Sequence, residues 1–238
     1  MRALIFAAGR GERMRPLTLH TPKPLLEAGG KPLIVWHLER LARVGVSDVV
    51  INVAHLAEQF PRVLGDGKRW NLRIHYSDEG PEPLETGGGM LRALPLLGDA
   101  PFVVVNGDVY CDVDFAALAR QPVDLAHLVM VAPPAFAPLG DFHLDASGQL
   151  HREGAPRLTY AGVGLYHPGL LREWKTLFPE QAQAETPRFR IAPLLQHAMD
   201  AGRVSGFAHH GRWTDVGTPE RLRALDESLR AEASAARQ

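Results

Sequence analysis

The sequence predicts an α/β fold of Rossmann-like type, a mostly parallel central sheet flanked by helices, with a small β-rich part in its C-terminal half. Three observations carry this. Apolar runs of strand length alternate with helix-period segments through residues 2–77, which calls for parallel strands joined by right-handed crossovers. The first run ends abruptly in small residues and a basic, glycine-interrupted loop beginning Ala7-Ala8-Gly9-Arg10-Gly11. A later run, PFVVV, ends in Asn106-Gly107-Asp108, so two strand exits carry polar groups where ligands of such sheets bind.

Composition bounds the function. At 238 residues the chain is long enough to bury a sizeable core and is expected to form a single domain. Its net charge of −1 provides no basic field for nucleic acid, so the N-terminal arginines matter as a local cluster. The single cysteine, Cys111, rules out an internal disulfide and fits a reducing compartment, and a cytoplasmic protein is expected. Neither a signal peptide nor a membrane span is expected, because the N-terminus starts directly with a strand. The eleven histidines form no H-E-x-x-H and have no cysteine partner set, so His209 and His210 are read as a strand end near the surface.

The first strand, residues 2–6, delivers the loop that carries Arg10, Gly11, Arg13, Arg15 and, after Pro22, Lys23. Glycines let backbone N–H groups approach a polyphosphate closely, while Arg and Lys neutralise charge that builds up in phosphoryl chemistry. That combination calls for a nucleoside triphosphate. The loop reads G-x-G-x-x-M over Gly9 to Met14, so it lacks the third glycine of the dinucleotide fingerprint, and nothing matches G-x-x-x-x-G-K-[ST]. An ordinary dehydrogenase or ATPase is therefore disfavoured. Pro22 and Pro24 limit the backbone on either side of Lys23 and aim one cation.

Pro32 opens a helix whose stripe is Leu33, Trp36, Leu38, Leu41 and Val44, closed by Gly45. A buried strand is expected over 47–53, a helix kinked near Pro61 over 56–64, and a third strand over 72–77. Residues 78–83 read as a loop, and Gly87, Gly88 and Gly89 lead into a helix from about Met90 to Leu96. Such an entry can present N–H groups to a base edge or a phosphate. The strand 102–105 holds Asp108 at its exit, where a carboxylate can carry a hard divalent cation. Asp112 and Asp114 read as turn and cap residues, since Asp114 precedes the helical FAALAR.

A strand over 125–131 follows, then a Pro/Ala/Gly-rich stretch from Pro133, a hairpin turning at Ser147-Gly148, and a strand over 157–166. Helices are expected over 168–178 and 189–201, the second capped by Gly202, with a polar loop over 181–186 between them. After a strand over 204–209 comes GRWTDVGTPE, with Trp213 as packing, Thr218 as N-cap and Pro219 as first helical residue of a terminal helix reaching about Glu232. Residues 231–238 are expected to fray.

The stretch A-A-G-R-G-E-R-M-R-P-L-T followed by T-P-K-P-L resembles the signature of sugar-1-phosphate nucleotidyltransferases, which join a nucleoside triphosphate to a sugar phosphate and release pyrophosphate. P-L-E-T-G-G-G and W-x-D-V-G-T-P-E are the second and third landmarks, so the resemblance spans nearly the whole chain. It implies the Rossmann-like nucleotidyltransferase fold, with 1–132 mainly a nucleotide-binding half and 133–238 mainly a sugar-phosphate-binding half plus the terminal helix. Ala7, Ala8, Gly9, Gly11, Glu12, Arg13, Met14, Lys23, Glu79, Leu84, Thr86, Gly87 and Gly88 match nucleotide-binding positions. Lys23, Arg15 and Asp108 take the catalytic positions, and Asp108 with Asp215 matches the family's magnesium ligands, so the implied cofactor is Mg2+. Asn106, Gly140, Asp141, Glu153 and Gly162 match acceptor-binding positions in the β-rich part. A left-handed β-helix of hexapeptide repeats, which many members append, is not expected here.

One departure stands out. Many hexose-1-phosphate members show Glu-Lys followed closely by Pro, whereas this chain reads Glu153-Gly154-Ala155-Pro156. Either Arg157 or Arg190 replaces the missing lysine or the acceptor is held differently. Among family branches the stretches are most similar to members using UTP and N-acetylmuramate 1-phosphate in cell-wall sugar recycling. Mannose-1-phosphate guanylyl transfer and glucose-1-phosphate thymidylyl or uridylyl transfer are the alternatives. An inactive nucleotide-binding regulatory protein is disfavoured, because binding alone needs no Lys23, Asp108 and Asp215 together. Partners are then small molecules, with neither nucleic acid nor membrane, and a monomer or small homo-oligomer is expected.

Overall fold

The structure is a computed structural model and describes residues 1–235. Strand β1 spans Arg2–Phe6, and three single turns of 3-10 helix follow at Glu12–Met14, Leu17–Leu19 and Lys23–Leu25. A short ribbon of β2 (Glu27–Ala28) and β3 (Lys31–Pro32) feeds α1 (Leu33–Arg43). Then come β4 (Asp48–Val53), α2 (Gln59–Leu64), β5 (Arg73–Asp78), α3 (Glu85–Leu97), β6 (Phe102–Asn106), β7 (Val109–Cys111) and α4 (Phe115–Ala119). The remainder contains β8 (Ala126–Val131), β9 (Phe142–Leu144), β10 (Leu150–His151), β11 (Arg157–Tyr166), α5 (Trp174–Leu177), α6 (Ala192–Asp200), β12 (Val204–Ala208), β13 (Trp213–Asp215) and α7 (Pro219–Ala235).

The expected alternation produces the expected sheet. Strands β6, β1, β4 and β5 are neighbours in that order and run parallel. Antiparallel β11 pairs with both β6 and β8, and β12 lies parallel to β8. The inner parallel strands β1, β4 and β6 are buried on both faces, so their residues alternate between two apolar layers. Ile5, Val49, Ile51, Val103 and Val105 pack with Ile34, Leu38 and Leu41 of α1. Leu4, Val50, Phe102 and Val104 pack on the other side with Met90 and Ala93 of α3 and Leu194 and Ala198 of α6. Each fully buried aliphatic side chain contributes about 1.5–3 kcal/mol relative to exposure. A third cluster, with Met14, Leu33, Val216, Leu225 and Leu229, docks α7 against the glycine loop.

Local geometry departs from the sequence expectation at five places. Helix α2 begins at Gln59 rather than 56, after a turn in which Leu56 takes a φ of +53°. Helix α3 begins at Glu85 rather than near Met90, with Gly87, Gly88 and Gly89 inside it. A Cβ at Gly87 would run into the Phe189 ring, one at Gly88 into the Pro187 carbonyl oxygen and one at Gly89 into Glu79, so the glycines permit close packing. Helix α6 begins at Ala192 rather than 189, because the backbone of the preceding residues is bonded to α3 instead of continuing a helix. There Gly87 and Gly88 N–H donate to the Phe189 carbonyl at 2.8 and 3.1 Å, and Ile191 N–H donates to Thr86 Oγ1 at 3.0 Å. The helix expected over 168–178 is instead a 3-10 turn at Pro168–Leu171 followed by the single turn of α5. That bent path buries both Leu170 and Leu171 while keeping Trp174, Leu177 and Phe178 on the same cluster. Helix α7 continues to Ala235, so residues 231–235 of the segment expected to fray are helical and 236–238 lie outside the described residues.

Other local expectations hold. Asp114 caps α4, its Oδ1 accepting from Ala116 and Ala117 N–H at 2.8 and 3.0 Å. Asp112 accepts from His209 at 2.7 Å. The β9–β10 hairpin turns at Gly148, whose φ of +84° suits a residue without Cβ. No described helix is long and apolar enough to cross a membrane.

Beneath the ribbon of β7 lies His37, fully buried, with Nε2 2.7 Å from the Val109 carbonyl oxygen and Nδ1 without a partner. Burial drives its pKa down from 6.5 to about 4, against the pull of the bond to Val109. Below pH 6.5 the unfolded chain therefore takes up a proton that the folded chain refuses, and stability falls as pH drops towards 4. His37→Gln, whose amide can donate the same bond, should lessen the fall in unfolding free energy between pH 7 and pH 5 by about 2 kcal/mol, read by urea titration. Gly88→Ala should lower stability by about 1–3 kcal/mol in the same assay, since its new methyl group meets backbone that has nowhere to move.

Candidate active site

The chain runs from β1 outward to β4 and β5, then returns through α3 to β6 on the other side of β1. In such sheets a crevice opens at the carboxyl ends of the strands where the order reverses. Here the crevice is a cleft of about 640 Å³, lined by Ala7, Ala8 and Gly9 after β1, Asn52 in β4, Glu79 after β5, and Asn106 and Asp108 at the exit of β6. Its volume lies in the range of small-molecule sites.

The floor is a buried hydrogen-bond chain. Asn52 Oδ1 accepts the Ala7 N–H at 2.6 Å, its Nδ2 donates to Glu79 Oε1 at 2.6 Å, and Glu79 Oε2 accepts the Leu84 N–H at 2.7 Å. Burial pushes the Glu79 carboxyl up, with the Leu84 and Asn52 donors opposing. This chain fixes three strand ends and the entry to α3 relative to one another. Above it the glycine loop folds back at Gly11, whose φ is +61°. Thr18 Oγ1 and Met14 N–H both donate to the Gly11 carbonyl at 2.8 Å, and the buried Met14 anchors the loop in the α7 cluster.

Lys23 is buried at 7% exposure, and its Nζ lies 2.6 Å from Asp108 Oδ2 and 4.0 Å from Asp215 Oδ1. The two acids meet because β13 pairs antiparallel with β7, placing Asp215 opposite Val109, with the Val216 N–H donating to the Asp108 carbonyl at 3.0 Å. Arg221 Nη1, from the first turn of α7, donates to Asp215 Oδ2 at 2.9 Å. Two carboxylates facing a common cation offer the hard oxygen donors that Mg2+ takes. Among the described residues no group of three His, Cys, Asp or Glu could hold a metal, so this pair suits an ion that completes its shell with phosphate and water.

The mouth is bridged by exposed ion pairs. Glu82 meets Arg10 at 3.1 Å and Arg188 at 3.4 Å, while Glu85 meets Arg188 at 3.7 Å and Arg190 at 3.5 Å. Pairs this open are individually weak.

Of the residues singled out in the sequence, Ala7, Ala8, Gly9, Gly11, Glu12, Arg13, Met14, Lys23, Glu79, Thr86, Asn106 and Asp108 line the cleft. Asp215 adjoins it through Lys23. Leu84 is buried, contributing its N–H to Glu79, and Gly87 and Gly88 turn their N–H groups to Phe189 rather than to the cleft. Arg15 projects into solvent, 3.9 Å from Glu12. Gly162 of β11 lies against Asn106, where a Cβ would come within 2.6 Å of Nδ2. Gly140 packs on the Arg157 backbone, and Asp141 Oδ2 accepts the Tyr160 N–H at 2.8 Å. Glu153 is not brought to the cleft; it borders a separate hollow with His151, Arg152, Met199 and Asp200. Of the two cations considered for the missing lysine, Arg157 donates to the Asp141 carbonyl and Arg190 stands at the rim.

Asn52, Arg221, Glu82 and Arg188 were not singled out in the sequence. Asn52 had a readable signal, a polar residue inside the apolar strand DVVINV; Arg221 and Arg188 sit among other surface charges and had none.

The nucleotidyl transferase family model matches residues 2–138. The N-acetylmuramate alpha-1-phosphate uridylyltransferase of Neisseria meningitidis serogroup B is 47% identical over 94% of this chain and 96% of its own length. The protein of the same name from Caulobacter vibrioides is 35% identical over 95% of this chain and 96% of its own. A solved structure described as a glucose-1-phosphate thymidylyltransferase from Bacillus anthracis superposes with a TM-score of 0.82 at 21% identity, covering 97% of this chain and 95% of that one, which shows the shared fold. By the family match and by these two relatives, the chain belongs to the nucleotidyl transferase family.

Proposed function

We propose that the protein transfers a uridylyl group from UTP to N-acetylmuramate 1-phosphate, yielding UDP-N-acetylmuramate and pyrophosphate, with Mg2+ as cofactor. The observation that carries this is the buried Lys23 amine held between Asp108 and Asp215 at the edge of the glycine-lined cleft. The length and degree of similarity to the Neisseria protein support the choice of base and sugar.

A phosphate oxygen of the acceptor attacks the α-phosphorus in line, and the bond from that phosphorus to the departing pyrophosphate oxygen breaks. The attacking group is already an anion, so no strong general base is needed. Positioning and neutralisation of like charges do the catalysis. Lys23 stabilises charge at the α-phosphate, the loop of Gly9, Gly11 and Arg13 cradles the triphosphate, and Arg13 meets the leaving pyrophosphate, with the solvent-facing Arg15 outside the cleft. Asp108 and Asp215 would hold the Mg2+, whose charge would offset that of the phosphate oxygens. Residues 133–238 supply the acceptor side through Gly140, Asp141 and Gly162, with Arg157 or Arg190 in place of the family's lysine. The buried free thiol of Cys111 suits a reducing compartment such as the cytoplasm, where recovered cell-wall sugars would be re-activated.

Pyrophosphate release measured over a panel of nucleoside triphosphates and sugar 1-phosphates should give its highest kcat/KM with UTP and N-acetylmuramate 1-phosphate. A preference for GTP with mannose 1-phosphate, or dTTP with glucose 1-phosphate, would replace the substrate assignment and keep the chemistry. Lys23→Ala should lower kcat by about 10²–10³-fold with an unchanged circular dichroism spectrum. Near-normal turnover would remove Lys23 from the mechanism.

A further inference from the structure

Asp108, Lys23, Asp215 and Arg221 form one continuous chain of opposite charges, with successive separations of 2.6, 4.0 and 2.9 Å. Two carboxylates thus face two cations, and the set is formally neutral before any ligand arrives. Arg221 is held at its backbone and at its guanidinium. Its N–H donates to Thr218 Oγ1 at 3.4 Å, and its guanidinium carbon lies 4.0 Å from the centre of the Phe136 ring, which reaches over from the loop between β8 and β9. Gly217 makes the room, since a Cβ there would collide with the guanidinium. The side chains of Arg221 and Asp215 are 21% and 23% exposed, shielded enough that their attraction exceeds that of an open surface pair.

We propose that Arg221 is a positioning residue that acts as a resident counter-ion. It occupies Asp215 Oδ2, leaves Oδ1 as the oxygen aimed at Lys23 and Asp108, and keeps the carboxylate pair from holding a divalent cation until a polyphosphate enters. The inference rests on reading Asp108 and Asp215 as the metal pair. Its physical basis is the charge count. A bare divalent ion approaching the site meets two fixed cations that cancel the two carboxylates, whereas an ion escorted by a triphosphate brings an excess of negative charge with it. Lys23 and Arg221 differ in kind here: the ammonium stands between the acids, while the guanidinium lies behind Asp215, where its planar fork and stacked ring favour a fixed geometry.

The test titrates Mn2+ alone into the full chain and counts bound ion by electron paramagnetic resonance, without substrates and without reference to turnover. Wild type should bind weakly. Arg221→Gln should bind Mn2+ roughly tenfold more tightly, because removing a charge a few ångströms from the site unmasks the carboxylates, whereas Arg221→Lys should stay near wild type. Phe136→Ala, in an exposed loop that does not bear on the core, should shift affinity in the same direction by less and serves if Arg221→Gln fails to fold. A merely structural arginine predicts the opposite sign, since a loosened Asp215 would bind the ion less well. Unchanged or weaker Mn2+ binding in Arg221→Gln, or tight binding by wild type alone, overturns the proposal. Asp108→Asn and Asp215→Asn, each titrated with the Mn2+·UTP complex, separate the two levels. If neither weakens that complex the metal-pair reading itself falls; if they do and Arg221→Gln stays silent, only the role of Arg221 falls.

Discussion

A single buried ammonium group organises the site. Lys23 reaches Asp108 from a residue 85 positions away along the chain, and it is the shared partner of a second acid delivered by the C-terminal segment. A lysine this buried is costly to leave unpaired, and so are carboxylates facing one another without a cation between them. The pieces of backbone that meet at this point are therefore bound to one another's presence. Pro22 and Pro24 stiffen the turn that carries the amine, β6 and the β7 ribbon present Asp108, and β13 brings Asp215 alongside. The same ion pairs that bring the segments together set the electrostatics a phosphate would meet.

Beneath that charged edge lies a floor built on a different principle. Asn52 and Glu79 satisfy two backbone N–H groups from separate segments, so the positions of the β1 exit and the α3 entry are locked by buried hydrogen bonds. The mouth is the reverse: Arg10, Glu82, Arg188, Glu85 and Arg190 meet in solvent, where each pair contributes little. A rigid floor with a compliant rim suits the proposed role of the cleft, admitting a large anion and holding it in one register.

The parallel half of the sheet was legible because β1, β4 and β6 are buried on both faces and read as mainly apolar runs, with helices of clear period between them. The glycine loop and the acid at the exit of β6 were legible for the chemistry they carry. The start of α3 was not, since three glycines read locally as a loop and become helical only because Phe189 and Pro187 press against them. The stretch before α6 was hidden for the same reason, its backbone bonds going to α3. The β7–β13 ribbon is three residues wide and has no periodicity to detect, so the meeting of Asp108 with Asp215 followed only from the resemblance. Glu153 shows the limit of that transfer: aligned by its place after the hairpin, it stands at another hollow.

The position of β11 constrains how the two ends of the chain can cooperate. It pairs antiparallel with β6 and carries Gly162 directly against Asn106, while its register slips between Tyr160 and Gly164. The strand that adjoins the β-rich hairpin is thus also the inner neighbour of the strand that presents Asp108. Hydrogen bonds continue across this junction, so the proposed nucleotide side and the proposed acceptor side share one sheet. Any closing over two bound anions must then come from the segments that lie outside the ladder. Those are the loop bearing Phe136 and the turn of Glu82, and both touch the site through charged or aromatic side chains rather than through packed core.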